Sequence, residues 1–202
     1  MSGKRILMIV GDFGEDYEIM VPFQALLAVG HKVDAVCPGK AKGDSVATSI
    51  HDFEGQQTYS EKRGHNFTLN AGFADVDAAA YDALVLPGGQ INPDLLRANP
   101  TAVEFVKAFW AAGKPIGAIC HGPWLLVEAD VVKGRKITSY HSIKTDVVNA
   151  GGEWEDSECV CDNGLVTSRN PDDLPAFSAK MIEEIAEGRH DLSASKTGRF
   201  PS

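Results

Sequence analysis

Short apolar runs alternate along the chain with longer segments in which apolar residues recur every three or four positions. Lys4–Val10 is an apolar run that ends at Gly11, and acidic residues follow it. Ile19, Met20, Phe23, Leu26 and Leu27 then fall at helical spacing and stop at Gly30, a residue type that commonly closes helices. Lys32–Cys37 is the next short run, which makes a strand–helix–strand unit. Tyr81–Leu86 predicts a strand that ends in the tight turn Pro87-Gly88-Gly89. Thr101–Ala112 predicts a helix with Val103, Val106, Phe109 and Trp110 inward, broken by Gly113-Lys114-Pro115. Pro115–Ile119 reads as a strand and Gly122–Asp130 as the helix after it. Lys136–Ser139 gives a short strand, Ser142–Asn149 a helix, and Glu158–Val160 with Leu165–Ser168 a hairpin around Asp162-Asn163-Gly164. Pro175–Glu187 is the last helix, with Phe177, Met181, Ile182 and Ile185 apolar. Asp44–Val76 is polar with weak strand signals and reads as an elaborated crossover.

Strands alternating with helices predict an α/β fold, a mainly parallel sheet covered on both faces. Sites in such sheets lie outside the carboxyl ends of the strands. Three strand ends therefore matter: Val10–Glu18, Leu86–Gln90 and Ile119–Gly122. There is no internal repeat and no linker. The expectation is a single domain over residues 1–189, followed by a loose tail over 190–202.

Composition narrows the function classes. A chain of 202 residues with 44% apolar and 23% charged residues is of ordinary globular make-up. With 28 acidic against 19 basic side chains the net charge is -9, which repels a phosphate backbone and argues against nucleic-acid binding. No apolar run approaches the roughly 18 residues of a membrane span. The first apolar segment is too short for a secretory leader, so the expected location is cytoplasmic, away from membranes.

Cys37, Cys120, Cys159 and Cys161 lack the paired spacing of a zinc site. His51, His65 and His141 show neither i, i+4 pairing nor an H-E-x-x-H pattern, so no metal is expected. Gly11-Asp12-Phe13-Gly14 is not a dinucleotide fingerprint and Pro87-Gly88-Gly89 is not a Walker loop, so no cofactor is expected. Only Cys120 has an unusual setting. Ala118-Ile119-Cys120-His121-Gly122-Pro123 passes from strand to helix within a few residues. Such an elbow lifts its middle side chain to the sheet edge and strains its backbone. A helix N-terminus there favours a thiolate, and His121 adds a base or a cation next door, although neighbours on an elbow point different ways. The same residues also suit a buried cysteine in a tight turn. Glu15, Asp16 and Glu18 likewise suit either a functional acid or an acidic first helical turn.

Ile119-Cys120-His121-Gly122-Pro123, Leu86-Pro87-Gly88-Gly89 and Glu15-Asp16-Tyr17-Glu18 together resemble the DJ-1/PfpI superfamily. Gly134-Arg135-Lys136, Thr138-Ser139-Tyr140 and Thr167-Ser168-Arg169 extend the resemblance over Lys4 to about Glu187. The crossover His51-Asp52-Phe53-Glu54-Gly55 … Arg63-Gly64-His65-Asn66-Phe67-Thr68-Leu69-Asn70 is most similar to the plant DJ-1d branch of glutathione-independent glyoxalases. The archaeal PfpI branch, named as intracellular proteases, is similar elsewhere.

The resemblance implies a flavodoxin-like, class I glutamine amidotransferase-like sandwich. It implies Cys120 as nucleophile, Glu18 as the acid hydrogen-bonded to it and His121 as the adjacent histidine. The backbone N–H groups of Gly89 and His121 match the oxyanion hole. A carboxyl that donates to a thiolate must be protonated, which requires burial to raise its pKa. Glu15 and Asp16 compete with Glu18 and are expected to be solvated or at an interface; Tyr140 and Arg169 line a pocket or an interface, or pack. The PfpI-like branches place Pro-Glu after Pro-Gly-Gly, where the Glu reaches a neighbouring subunit's histidine; this chain has Asn92-Pro93-Asp94, so Asp94, one methylene shorter, is either the candidate intersubunit acid or an acid of a helix N-terminus. The implied activity is conversion of 2-oxoaldehydes to 2-hydroxy acids, with deglycation of adducts as a related claim. An intracellular cysteine peptidase, and a redox-sensing or chaperone stress protein that oxidises Cys120, are the competing readings. The implied partners are a small reactive aldehyde and further copies of the chain, as a trimer or hexamer.

Overall fold

The computed structural model describes residues 3–55 and 58–190. In chain order the strands and helices are β1 (Arg5–Ile9), β2 (Gly14–Glu15), α1 (Asp16–Ala28), β3 (Lys32–Val36), β4 (Ser45–Gly55), β5 (Thr58–Thr68), β6 (Ala83–Leu86) and α2 (Ile91–Arg97). There follow α3 (Pro100–Ala111), β7 (Ile116–Ile119), α4 (Pro123–Glu128), β8 (Lys136–Ile137), α5 (Lys144–Asn149), β9 (Glu153–Trp154), β10 (Val160–Asp162), β11 (Leu165–Ser168) and α6 (Leu174–Glu187).

The central sheet has the order β10-β11-β7-β6-β1-β3. All neighbours pair in parallel except β10 with β11. Successive side chains of each strand enter opposite layers. Leu7, Ile9, Leu84, Leu86, Ile116 and Ala118 pack with Phe109 of α3 and Leu125 of α4. Ile6, Met8, Ala83, Val85 and Ile119 pack with Ile19 of α1 and Phe177 of α6. Helices thus cover both faces of a mainly parallel sheet. Phe109 and Phe177 are the largest fully buried side chains, one in each layer. Truncating either to Ala would cost about 3–5 kcal/mol.

The crossover differs from its expected irregularity. β4 and β5 form an antiparallel hairpin of two 11-residue strands, and β4 pairs in parallel with β2 through Gly14↔Thr48 and Glu15↔Ser49. This three-stranded sheet stands over the start of α1. Two elements escaped the periodicity: α2, with Pro93 in its first turn, and β9, which pairs with β8. The expected hairpin strand Glu158–Val160 sits two residues later, as β10, around a turn with Asn163 and Gly164 at positive φ. His190 is tied down: its N–H donates to the Gly113 carbonyl at 2.7 Å. The rest of the expected tail lies outside the described residues. No helix among the described residues is long and apolar enough to cross a membrane.

The chain crosses from β1 to β3 on one side and then returns to β6 on the other. The crevice at this reversal, above the carboxyl ends of β1 and β6, is where such sheets bind ligands. The three strand ends singled out from the sequence, those of β1, β6 and β7, converge here.

Candidate active site

Cys120 follows β7 with φ 61°, a left-handed conformation that costs a non-glycine residue about 1–3 kcal/mol. The neighbours hold it there. The Cys120 N–H donates to the Ser168 carbonyl at 3.0 Å, and its own carbonyl accepts from the Tyr140 N–H at 2.9 Å. Pro123 starts α4 where a missing N–H costs nothing. The elbow leaves the thiol facing a small pocket. Glu15, Glu18, His51, Gly89, His121 and Tyr140 are among the residues that line it with Cys120.

Two glycines let the β6 turn approach. A Cβ on Gly88 would lie 2.5 Å from Glu18 Oε2 and 2.6 Å from Cys120 Cβ. Gly89 has φ +80° and would press a Cβ against the Phe13 carbonyl at 2.8 Å. Asn92 of α2, fully buried, fixes this turn by donating from Nδ2 to the Pro87 and Gly88 carbonyls at 3.1 and 3.0 Å.

Glu18 is fully buried in the first turn of α1. Pro22, four residues on, has no N–H to return to the Glu18 carbonyl, an irregularity in α1 at this point. Glu18 Oε2 accepts from the Gly88 N–H at 2.9 Å, and the carboxyl shares a hydrogen bond with the Cys120 thiol. Burial first, and the Glu15 carboxyl second, push Glu18 well above the usual carboxylate range, which favours its protonated form.

The Cys120 thiol does not follow the expectation of a helix-stabilised thiolate. α4 has only 6 residues, and Cys120 is 6% exposed. Burial, and after it the Glu18 carboxyl, push the thiol well above its ordinary value. The backbone N–H groups of Gly89 and His121 both point at the sulfur and oppose this. A proton on Glu18 removes that carboxyl's negative charge.

His121 turns back along the elbow so that Nδ1 lies 3.2 Å from Cys120 Sγ. Its Nε2 is 3.2 Å from Ser142 Oγ, and the ring stacks on Tyr140 with centroids 5.0 Å apart. Burial, followed by the neighbouring His51 and His141, holds His121 down to about 4. The imidazole is therefore neutral at pH 7 and able to accept a proton.

The other expected residues divide. Glu15 and Asp16 are buried rather than solvated, at 1% and 5% exposure. Glu15 caps α1 by accepting from the Glu18 N–H at 2.9 Å and lines the pocket. Asp16 is turned away to the hairpin, where it accepts from the Thr48 hydroxyl and the His65 N–H. Tyr140 lines the pocket. Arg169 is held elsewhere by Asp173 at 2.9 and 3.0 Å and by Asp156 at 2.7 Å, so it packs instead of facing substrate. Asp94 is exposed on α2 and is not among the pocket-lining residues.

Two residues were not singled out for the site. Ser142 faces the far nitrogen of His121. His51 reaches the pocket wall from β4, with Nε2 3.2 Å from Glu61 Oε2. Of the histidines weighed as ligands, His51 pairs with Glu61 and His65 with Asp16. Among the described residues the grouping close enough to hold a metal is Glu184, Glu187 and His190. It sits around the end of α6, and Glu184 is already paired with Lys180 at 2.8 Å and His190 at 3.1 Å.

The model of the DJ-1/PfpI family matches residues 4–184. The chain belongs to this family. It is 49% identical over 188 residues to Protein DJ-1 homolog D of Arabidopsis thaliana, covering 91% of this chain and 48% of that protein. It is 39% identical over 180 residues to Protein/nucleic acid deglycase 2 of Escherichia coli, covering 89% of this chain and 96% of that one. The DJ-1 structure of Schizosaccharomyces pombe superposes with a TM-score of 0.75 at 20% identity, covering 98% and 100% of the two chains. The chain thus spans about half the length of its plant DJ-1 relatives, and nearly the whole of the bacterial deglycase.

Proposed function

We propose that this DJ-1/PfpI domain converts 2-oxoaldehydes such as methylglyoxal and glyoxal to 2-hydroxy acids, using neither glutathione nor a cofactor. The observation that carries the proposal is the placement of the Cys120 thiol between the Glu18 carboxyl and the neutral His121 imidazole. The thiol sulfur attacks the aldehyde carbon as its proton passes to His121 Nδ1, 3.2 Å away. In so dry a setting the imidazolium is unfavourable, so the proton moves on to the new oxygen and a hemithioacetal results. The Gly89 and His121 N–H groups, already aimed at the sulfur, stabilise the charge on that oxygen. His121 then carries a proton from the aldehyde carbon to the ketone carbon through an enediol. The resulting thioester is hydrolysed to the 2-hydroxy acid and frees Cys120.

The deglycase name of the Escherichia coli relative supports a wider use of the same thiol, on aldehyde adducts of proteins or nucleic acids. Amide hydrolysis would need the same nucleophile, but a thiol 6% exposed in a small pocket gives a folded protein chain little access. The deciding experiment is incubation of purified protein with methylglyoxal, without glutathione and after exhaustive chelation. Lactate is the expected product; loss of free thiol without lactate would reduce Cys120 to an aldehyde trap.

We also propose self-association, with Asp94 near a neighbour's His121. Ile91 and Leu95, which flank Asp94 on α2, are 40% and 58% exposed, and burying them against another copy is favourable.

A further inference from the structure

The isomerisation above contains two proton relays. One proton moves from the aldehyde carbon to the ketone carbon, and a second leaves the hemithioacetal hydroxyl while one arrives on the ketone oxygen. Cys120, Glu18 and His121 crowd the attacked carbon, and a single group cannot serve both relays at once.

Glu15 is the pocket's second carboxyl. It sits at the N-cap of α1, where its Oε2 is used by the Glu18 N–H at 2.9 Å. Its Oε1 is buried, has no hydrogen-bond partner, and belongs to a side chain that lines the pocket. An unpartnered polar atom in a residue 1% exposed carries a desolvation cost; a substrate oxygen in the pocket would relieve it. We propose that Glu15 is a catalytic residue whose Oε1 faces the two oxygens of the bound 2-oxoaldehyde and relays the proton between them. The assignment rests on the 2-oxoaldehyde reading of the site.

The step balances without another reactant. A base at the Cys120 side takes the proton on the aldehyde carbon. The C–H electron pair becomes the carbon–carbon double bond, and the C=O π pair moves onto the ketone oxygen. That oxygen takes the proton of the Glu15 carboxyl, which gives the enediol. The Glu15 carboxylate then takes the proton of the hemithioacetal hydroxyl. The O–H pair forms the thioester carbonyl, and the double-bond pair takes the base's proton at the former ketone carbon. Base and Glu15 both end as they began.

The relay needs Glu15 protonated at the start. Burial first, with the adjacent Asp16 charge added, raises its pKa to about 7, against the pull of the nearby backbone N–H groups of Glu18, Tyr17 and His51. The groups around it are Asp16 and Glu18 on α1, His51 on β4, and Cys120 and His121 on the elbow.

Glu15→Gln tests the relay, because the amide oxygen can still cap α1 while the proton is lost. The expected result is a Cys120–methylglyoxal adduct that still forms, seen by intact mass, with lactate kcat lowered about 100-fold. The wild-type rate should fall as pH rises through about 7, and this limb should vanish in the variant. A variant within threefold of wild type that keeps this pH limb would overturn the assignment. If wild type forms the adduct but no lactate, the 2-oxoaldehyde reading fails, and infrared difference spectra decide Glu15 separately. The protonated-carboxyl band that Glu15→Gln removes should shift when Cys120 takes up methylglyoxal, and an unshifted band refutes the contact.

Discussion

His121 Nδ1 and Cys120 Sγ lie 3.2 Å apart although the two residues are neighbours in the chain. Adjacent side chains in a strand or helix point away from each other. The left-handed backbone of Cys120, with φ 61°, folds the pair together, so the strain in the elbow brings an imidazole nitrogen to the thiol. Because the thiol is held protonated by burial, the proposed attack depends on this contact and on Glu18 being neutral.

Glu18→Gln keeps the shape of the side chain but removes its proton chemistry. Turnover should fall about 100-fold, and the rate of Cys120 oxidation by peroxide, followed by intact mass, should change with it. If both were unaltered, Glu18 would have no acid role at Cys120.

Gly88→Ala should damage stability and activity together. The new methyl meets Glu18 Oε2 at 2.5 Å and Cys120 Cβ at 2.6 Å, and overpacking of this kind costs about 1–3 kcal/mol. Thermal unfolding and lactate production measure the two effects; an unchanged Tm would mean that the β6 turn can move aside.

The pocket gives stability a defined pH dependence. Between 4.5 and about 7 the folded state keeps a proton on Glu15 that the unfolded chain has released. That contribution is complete below 4.5 and is lost as pH rises through about 7. His121 has the opposite sign: its contribution is present above 6.5 and is lost as pH falls towards 4. Glu15→Gln should therefore gain stability relative to wild type between pH 5 and pH 8 in urea unfolding. A difference constant with pH would show that Glu15 does not titrate in this range.

Asp94→Ala should leave Cys120 as reactive as before and lower turnover less than Cys120→Ser does. Light scattering should give a trimer or hexamer for the wild type. A monomer, or an oligomer with Asp94 remote from every His121, would reject the shared site.

The parts of the site that the sequence revealed are those with one backbone solution. β1, β6 and β7 are buried on both faces, so they read as unbroken apolar runs. The residues after them, Gly88, Gly89 and Cys120, are in positions that only a turn or an elbow explains. The β4–β5 hairpin was illegible for the converse reason. Among its described side chains Val46, Thr48, Ser49 and Phe67 are buried while Asp52, Glu61, Lys62 and His65 are exposed, and bulges between Ala47/Ser49 and Phe53/Gly55 break the alternation. His51 was consequently weighed as a metal ligand and not as pocket wall. Glu15 and Asp16 were expected to be solvated or at an interface; the hairpin that covers them lies about thirty residues away in the chain, with Thr48 bonded to Asp16. α2 was hidden by Pro93, which a first turn tolerates.

Lactate release from methylglyoxal by wild type and Cys120→Ser, both chelated and free of glutathione, tests the central claim most directly. The site described here predicts steady release by the wild type and a loss of at least about 1,000-fold in the Ser variant, with an unchanged circular dichroism spectrum. Wild-type rates from Cys120→Ser would contradict it.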